Sequence, residues 1–200
     1  RYDGFRFRDY PLIMGIDSLS TPLHQAVKKL CEGPDGLYYA LLFQGGITCF
    51  DKDIEKFLPV RFDKPLELKD ILDFCWNDGS LYLVTSQGLF ESRIVRKTEG
   101  KHDFVLCLLN PEPLVRGKVA HLCSDGKTNL YFSVNQRKVV HYDLVAKKTS
   151  LIKEYSVVNR LFLKHGYLWI CRLWDDIICY DLKTNEERVI SMEGKDQSEF

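Results

Sequence analysis

One phrase of roughly 40 to 50 residues recurs four times along the chain, and no other feature narrows its fold as far. Each copy has an apolar–Cys or apolar–aromatic step, a turn, Leu-Tyr or Leu-Trp, a second turn, and an apolar stretch that often closes on aromatic-Asp. The first copy runs from Leu30-Cys31 through Pro34-Asp35-Gly36 and Leu37-Tyr38 to Gly45-Gly46 and Phe50-Asp51. The second has Phe74-Cys75, Asp78-Gly79, Leu81-Tyr82, Gly88 and Leu89-Phe90. The third has Leu122-Cys123, Asp125-Gly126, Leu130-Tyr131 and Tyr142-Asp143, and the fourth has Leu161-Phe162, His165-Gly166, Leu168-Trp169 and Tyr180-Asp181. With Tyr38, Tyr82, Tyr131 and Trp169 taken as equivalent, the spacings are 44, 49 and 38 residues.

Each copy holds four short runs of alternating or clustered apolar residues, the pattern of half-buried and buried strands. In the third copy these are Val119–Cys123, Leu130–Val134, Lys138–Asp143 and Ser150–Glu154. Asp-Gly between the first two runs supplies the positive φ that a tight hairpin needs. Four strands per repeat of this length is the period of a β-propeller blade, so the fold expected is all-β. Leu23, Ala26, Val27 and Leu30 also have helical spacing, as do residues 66–74, but their place in the repeat assigns them to strands. Pro59 to Leu66 and Arg93 to His102 are charged and read as exposed loops.

Gly4 to Asp9 can be laid over Gly46 to Asp51, with Pro11 to Ile16 as a following strand, so residues 1–22 read as the tail of a preceding blade. Blades are then expected at 23–65, 66–115, 116–156 and 157–190, with a polar tail at 191–200. That makes about four and a half blades, a small propeller or part of a larger one.

The sequence Asp-Gly-x-Leu-Tyr followed by Gly-Leu/Ile and aromatic-Asp resembles generic β-propeller repeats, of the quinoprotein-like and two-component-regulator-type sensor kind. The resemblance spans residues 4 to about 190. It implies the fold and brings no catalytic residue with it. The WD40, kelch and Asp-box signatures are not met. Trp174-Asp175 lies between the second and third strands rather than after the third, Gly45-Gly46 occurs once, and the run Ser124 to Thr128 is too short.

Charge bounds the partners. Twenty-eight Lys and Arg balance 28 Asp and Glu, which argues against a dominant nucleic-acid or anionic-membrane surface. Lys28-Lys29, Lys147-Lys148 and the run from Arg93 to Lys101 sit among acids or hairpins and read as solvated faces. No apolar run reaches the length of a membrane-spanning helix.

Seven cysteines invite a metal or disulfide reading. Yet Cys31, Cys75 and Cys123 occupy equivalent positions in first strands, and Cys49 and Cys179 in third strands. Repeat-equivalent thiols are separated around the propeller axis, and free Cys packs as a small hydrophobe. Reduced thiols and the lack of an Asn-x-Ser/Thr sequon then point to cytoplasm or nucleus. Among the histidines, only His121 and His141 fall on expected strands, and neither a His-Glu-x-x-His nor a Gly-x-Ser-x-Gly pattern exists. No cofactor is expected. Asp51, Asp143 and Asp181 recur after third strands, where a carboxylate caps a turn.

The function expected is a non-catalytic scaffold that presents propeller loops to protein partners in a larger assembly. Arg172, Trp174 and Asp175 are the candidate partner-binding residues, with Tyr167 as a further candidate, because exposed Trp and Arg anchor interfaces. Two alternatives stand next to it: an enzyme with its site in the central channel, or a ligand-sensing module of a larger receptor that takes a small molecule.

Overall fold

The computed structural model describes residues 26–43, 46–52, 54–62, 71–96 and 104–191. The expected strands at Gly4–Asp9 and Pro11–Ile16 and most of the polar tail lie outside the described residues. The chain divides into two compact units, residues 1–114 and 115–200. Every regular element among the described residues is a strand.

Unit 1 holds β1 (Val27–Glu32), β2 (Tyr38–Leu42), β3 (Ile47–Asp51), β4 (Lys56–Phe62), β5 (Ile71–Asn77), β6 (Ser80–Thr85), β7 (Gly88–Arg96) and β8 (Phe104–Leu108). Each run of four is an antiparallel meander. The two runs join by their last strands, β4 pairing β8 in parallel through Val60–Phe104, Arg61–Val105 and Phe62–Leu106. The sheet order is therefore β1-β2-β3-β4-β8-β7-β6-β5. It curls until the end strands meet, where Lys29 on β1 bonds Asp73 on β5 at 2.8 Å. Between the two runs lies a core of Tyr39, Leu41, Ile47, Phe74, Leu81, Leu83, Phe90, Phe104 and Leu106. Burial of these side chains is the main force closing the unit, at about 1.5–3 kcal/mol for each large one.

Unit 2 opens with the short β9 (Val115–Arg116) and then forms two antiparallel sheets. One contains β10 (Val119–Ser124), β11 (Asn129–Val134), β12 (Lys138–Asp143) and β13 (Lys148–Glu154) in sequence order. The other contains β14 (Val158–Lys164), β15 (Tyr167–Arg172), β16 (Ile177–Asp181) and β17 (Glu187–Ile190). Tyr131, Val139 and Cys123 of the first pack on Leu161, Leu163, Leu168, Ile170 and Ile178 of the second. Consecutive four-strand meanders that stack face on face are propeller-like architecture.

The turns follow the sequence chemistry. Asp78-Gly79 and His165-Gly166 both have two successive positive φ values, closing the two-residue hairpins Asn77–Ser80 and Lys164–Tyr167. His165 thus takes the conformational place of an Asp. After third strands, Asp143 Oδ1 accepts from the backbone N–H groups of Val145 and Ala146. Asp181 Oδ1 accepts likewise from Lys183 and Thr184, so the capping expectation matches the geometry.

Two expectations need correction. Cys31 lies across from Tyr39 rather than Tyr38, as Cys75 lies across from Tyr82 and Cys123 from Tyr131. The equivalent aromatic of the first repeat is Tyr39, which is buried, while Tyr38 turns to the other face. Pro59 to Phe62 and Arg93 to Arg96 are strand, not loop, since their charged side chains alternate with Val60 and Ile94 on the core side. The strand assignment of Val27, Leu30 and Phe74 holds, since ladder pairing on β1 and β5 overrides their helical spacing.

Candidate functional site

The turn from β15 to β16 carries the most unusual side chain in unit 2. Trp174 is 95% exposed and has φ of 58°, so a large apolar ring is held in water on a left-handed backbone. Such a conformation is costly for a bulky residue and persists only where its neighbours enforce it. They do. Arg172 Nη1 lies 2.6 Å from Asp175 Oδ2, and Arg172 Nε donates to the Asp176 carbonyl at 3.0 Å. Asp175 Oδ1 accepts from the Asp176 N–H, and Ser156 Oγ donates to Asp175 Oδ2 at 3.3 Å. The Leu173 N–H bonds the Val157 carbonyl, tying the turn to the segment between β13 and β14. Arg172 and Asp175 are thus the frame, and Trp174 is what the frame displays.

Tyr167 does not belong to this group. It starts β15, whereas Arg172 ends the same strand. There it lines a shallow trough of about 350 Å³ with Phe162, Lys164, His165 and Trp169. Phe162 and Trp169 pair across β14 and β15 with ring centroids 5.7 Å apart and planes 3° from parallel. Sequence reasoning read this pair only as repeat positions; the signal for a surface was that Phe162 breaks the Cys series.

Burial pushes the Cys49 thiol up to about 12, against a hydrogen bond with Tyr39 that favours the thiolate. Burial also raises Cys31 and Cys171 above the ordinary thiol range. All seven cysteines are unbridged. No group of three or more His, Cys, Asp or Glu that could hold a metal ion occurs among the described residues. His141 Nδ1 and Nε2 lie at 3.2 and 2.6 Å from Ser150 and Asn129, so its ring is occupied within its own sheet. Burial opposes ionisation of Asp125, but Asn129 and the backbone N–H groups of its turn outweigh it and hold the carboxyl below the usual range.

No protein-family model matches the chain, and no curated protein matches it by sequence. Solved structures do match in fold. An extracellular domain assigned to a one component system of Bacteroides thetaiotaomicron aligns over 92% of this chain with TM-score 0.69 and 13% identity. An auxiliary nutrient binding protein from the same organism aligns over 82% with TM-score 0.57 and 17% identity. The WD40 domain of Neurospora crassa Pan2 aligns over 82% with TM-score 0.53 and 10% identity. The chain spans 26%, 42% and 50% of those three chains. The fold is therefore β-propeller-like, shared with sensor domains and WD40 domains alike.

These likenesses correct the expected compartment. Unpaired thiols and the lack of a sequon point to cytoplasm or nucleus, yet similar folds are extracellular domains of bacterial sensors. A thiol buried for packing is indifferent to the redox state outside. No helix among the described residues is long and apolar enough to cross a membrane.

Proposed function

We propose that this chain is a segment of a ligand-sensing propeller that works outside the cell or in the periplasm, binding without chemistry of its own. The single observation that carries the reading is Trp174, fully presented on a turn locked by Arg172 and Asp175. An aromatic face fixed before binding loses little conformational freedom when a ligand stacks on it. The likeness to a sensor's extracellular domain and to a nutrient binding protein supports the same reading. Within it, each four-strand meander is one blade, with divisions near residues 65, 115 and 156.

The test uses indole fluorescence. Trp76 and Trp169 are partly buried and Trp174 is in water, so a ligand that stacks on the turn shifts emission to shorter wavelength. Soluble oligosaccharides and short peptides are titrated into the chain and into Trp174→Ala. A saturable blue shift lost in the variant supports the proposal. No shift with any ligand, together with a stoichiometric protein companion of the native polypeptide that the variant loses, returns the scaffold reading.

A further inference from the structure

Two turns at one end of unit 2 are built on the same frame. The Asn135 N–H bonds the Lys118 carbonyl just before β10, and the Leu173 N–H bonds the Val157 carbonyl just before β14. Val134 pairs with Val119 as Arg172 pairs with Val158. Gln136 therefore stands where Trp174 stands, and both have left-handed backbones, with φ of 56° and 58°. Gln136 is exposed although the next meander is in place, its carbonyl bonded by the Val158 N–H. Presenting that side chain to solvent is thus a property of the turn itself, and Trp174 owes its exposure to the same geometry.

The frame is filled differently in the two turns. Between β15 and β16, Arg172 Nη1 and Asp175 Oδ2 neutralise each other at 2.6 Å. Between β11 and β12, Arg137 takes the position of Asp175, but the position of Arg172 is held by Val134. This second turn accordingly has a cation with no acid opposite it. Arg137 is exposed, and no described residue forms an ion pair with its guanidinium.

The turns are also neighbours. Val158 donates to the Gln136 carbonyl and Tyr155 to the Arg137 carbonyl, while the Val157 carbonyl accepts from Leu173. Residues 155–158 are hydrogen-bonded to both turns, which therefore stand two strand spacings apart, about 10 Å. One broad ring surface and one unpaired guanidinium at that separation suit a ligand in which a ring carries an anionic group.

We infer that the two turns make one site for a carboxylate-bearing ring: the ring stacks on Trp174, and its carboxylate takes a bidentate pair of hydrogen bonds from Arg137. The inference rests on the proposed role of Trp174 as a ligand platform and adds the charge selection that a bare indole lacks.

Indole emission of the chain tests this with sodium trigalacturonate and sodium phenylacetate, each compared with its methyl ester. The acid of at least one pair is expected to bind about tenfold more tightly than its ester. Which pair responds separates an acidic sugar from an aromatic acid. Arg137→Gln is expected to bring the acid down to the affinity of the ester, and Trp174→Ala to lose both responses, with strands intact by circular dichroism in each. Equal affinity of acid and ester overturns the inference and leaves Trp174 a neutral platform. So does an Arg137→Gln chain that keeps the preference for the acid. No emission change with any of the four compounds overturns the platform reading and this inference together.

Discussion

The Lys29 ammonium sits 2.8 Å from the Asp73 carboxylate, clasping β1 to β5 where the sheet of unit 1 comes round on itself. Lys28 reinforces the clasp by donating to the Leu72 carbonyl, and Lys29 also lies 5.8 Å from the centroid of the Phe74 ring. Burial alone would lower the pKa of Lys29, but Asp73 outweighs it and the net movement is upward. A folded-state pKa above the ordinary 10.5 means that the pair stabilises fully below that pH and is lost as pH rises through the folded value. Lys29→Met is expected to lower stability by about 2 kcal/mol at neutral pH, read from the urea midpoint, because it removes a charged hydrogen bond to the part-buried Asp73 carboxylate. The difference between wild type and variant should shrink above pH 10.5.

A second prediction concerns Gly33. A Cβ built there would approach the Tyr39 Cε2 atom to 2.6 Å, and that ring is fixed by packing on Trp76 and by its hydroxyl donating to Asp35 at 2.7 Å. Gly33→Ala is therefore expected to cost about 1–3 kcal/mol through overpacking. Tyr39→Phe should cost about 1 kcal/mol by losing the hydrogen bond, with the ring in place. Thermal melts of the two variants distinguish the effects.

Acid should act through Glu187. Its oxygens accept from Lys153 Nζ at 2.6 Å and Tyr155 Oη at 2.5 Å, linking the two sheets of unit 2. Burial raises its pKa, the two hydrogen bonds lower it, and the net position is below 4.5. Its contribution is therefore present above pH 4.5 and lost as pH falls through the depressed folded value. Glu187→Gln is expected to flatten that part of the pH–stability curve while leaving the strands intact by circular dichroism.

Trp174→Ala is expected to leave the melting temperature within about 1 °C of wild type, since an exposed side chain contributes little to the fold. Its emission loss should fall on the red edge of the spectrum. A large drop in melting temperature would place the indole in a packed environment and remove the basis for the binding turn.

Much of this architecture was legible because it is written locally. Asp-Gly turns, the recurrence of Cys opposite an aromatic, and aromatic-Asp endings each specify a hairpin without reference to distant residues. Where two aromatics adjoin, as Tyr38 and Tyr39 do, the repeat alone left the register one residue off, and a one-residue slip exchanges the faces. The parallel joining of β4 to β8 was invisible, because pairing between strands some 45 residues apart leaves no local periodicity. Of the proposed site, the Arg172–Trp174–Asp175 turn could be picked out by its odd composition. Tyr167 stands at the opposite end of β15 from Arg172, a separation that composition alone does not reveal.

The β4–β8 ladder also bears on what the chain must avoid. A meander's last strand ordinarily leaves a row of unpaired amides and carbonyls, an invitation to any passing extended peptide. In unit 1 the two last strands spend those groups on each other. Unit 2 ends its sheets at β13 and β17, where Lys148, Lys153, Glu154, Glu187 and Arg188 populate the margin. In unit 1 the last strand of each meander is covered by backbone pairing, whereas in unit 2 it is guarded by charge, so neutralising those margin charges should make unit 2 more prone to aggregate.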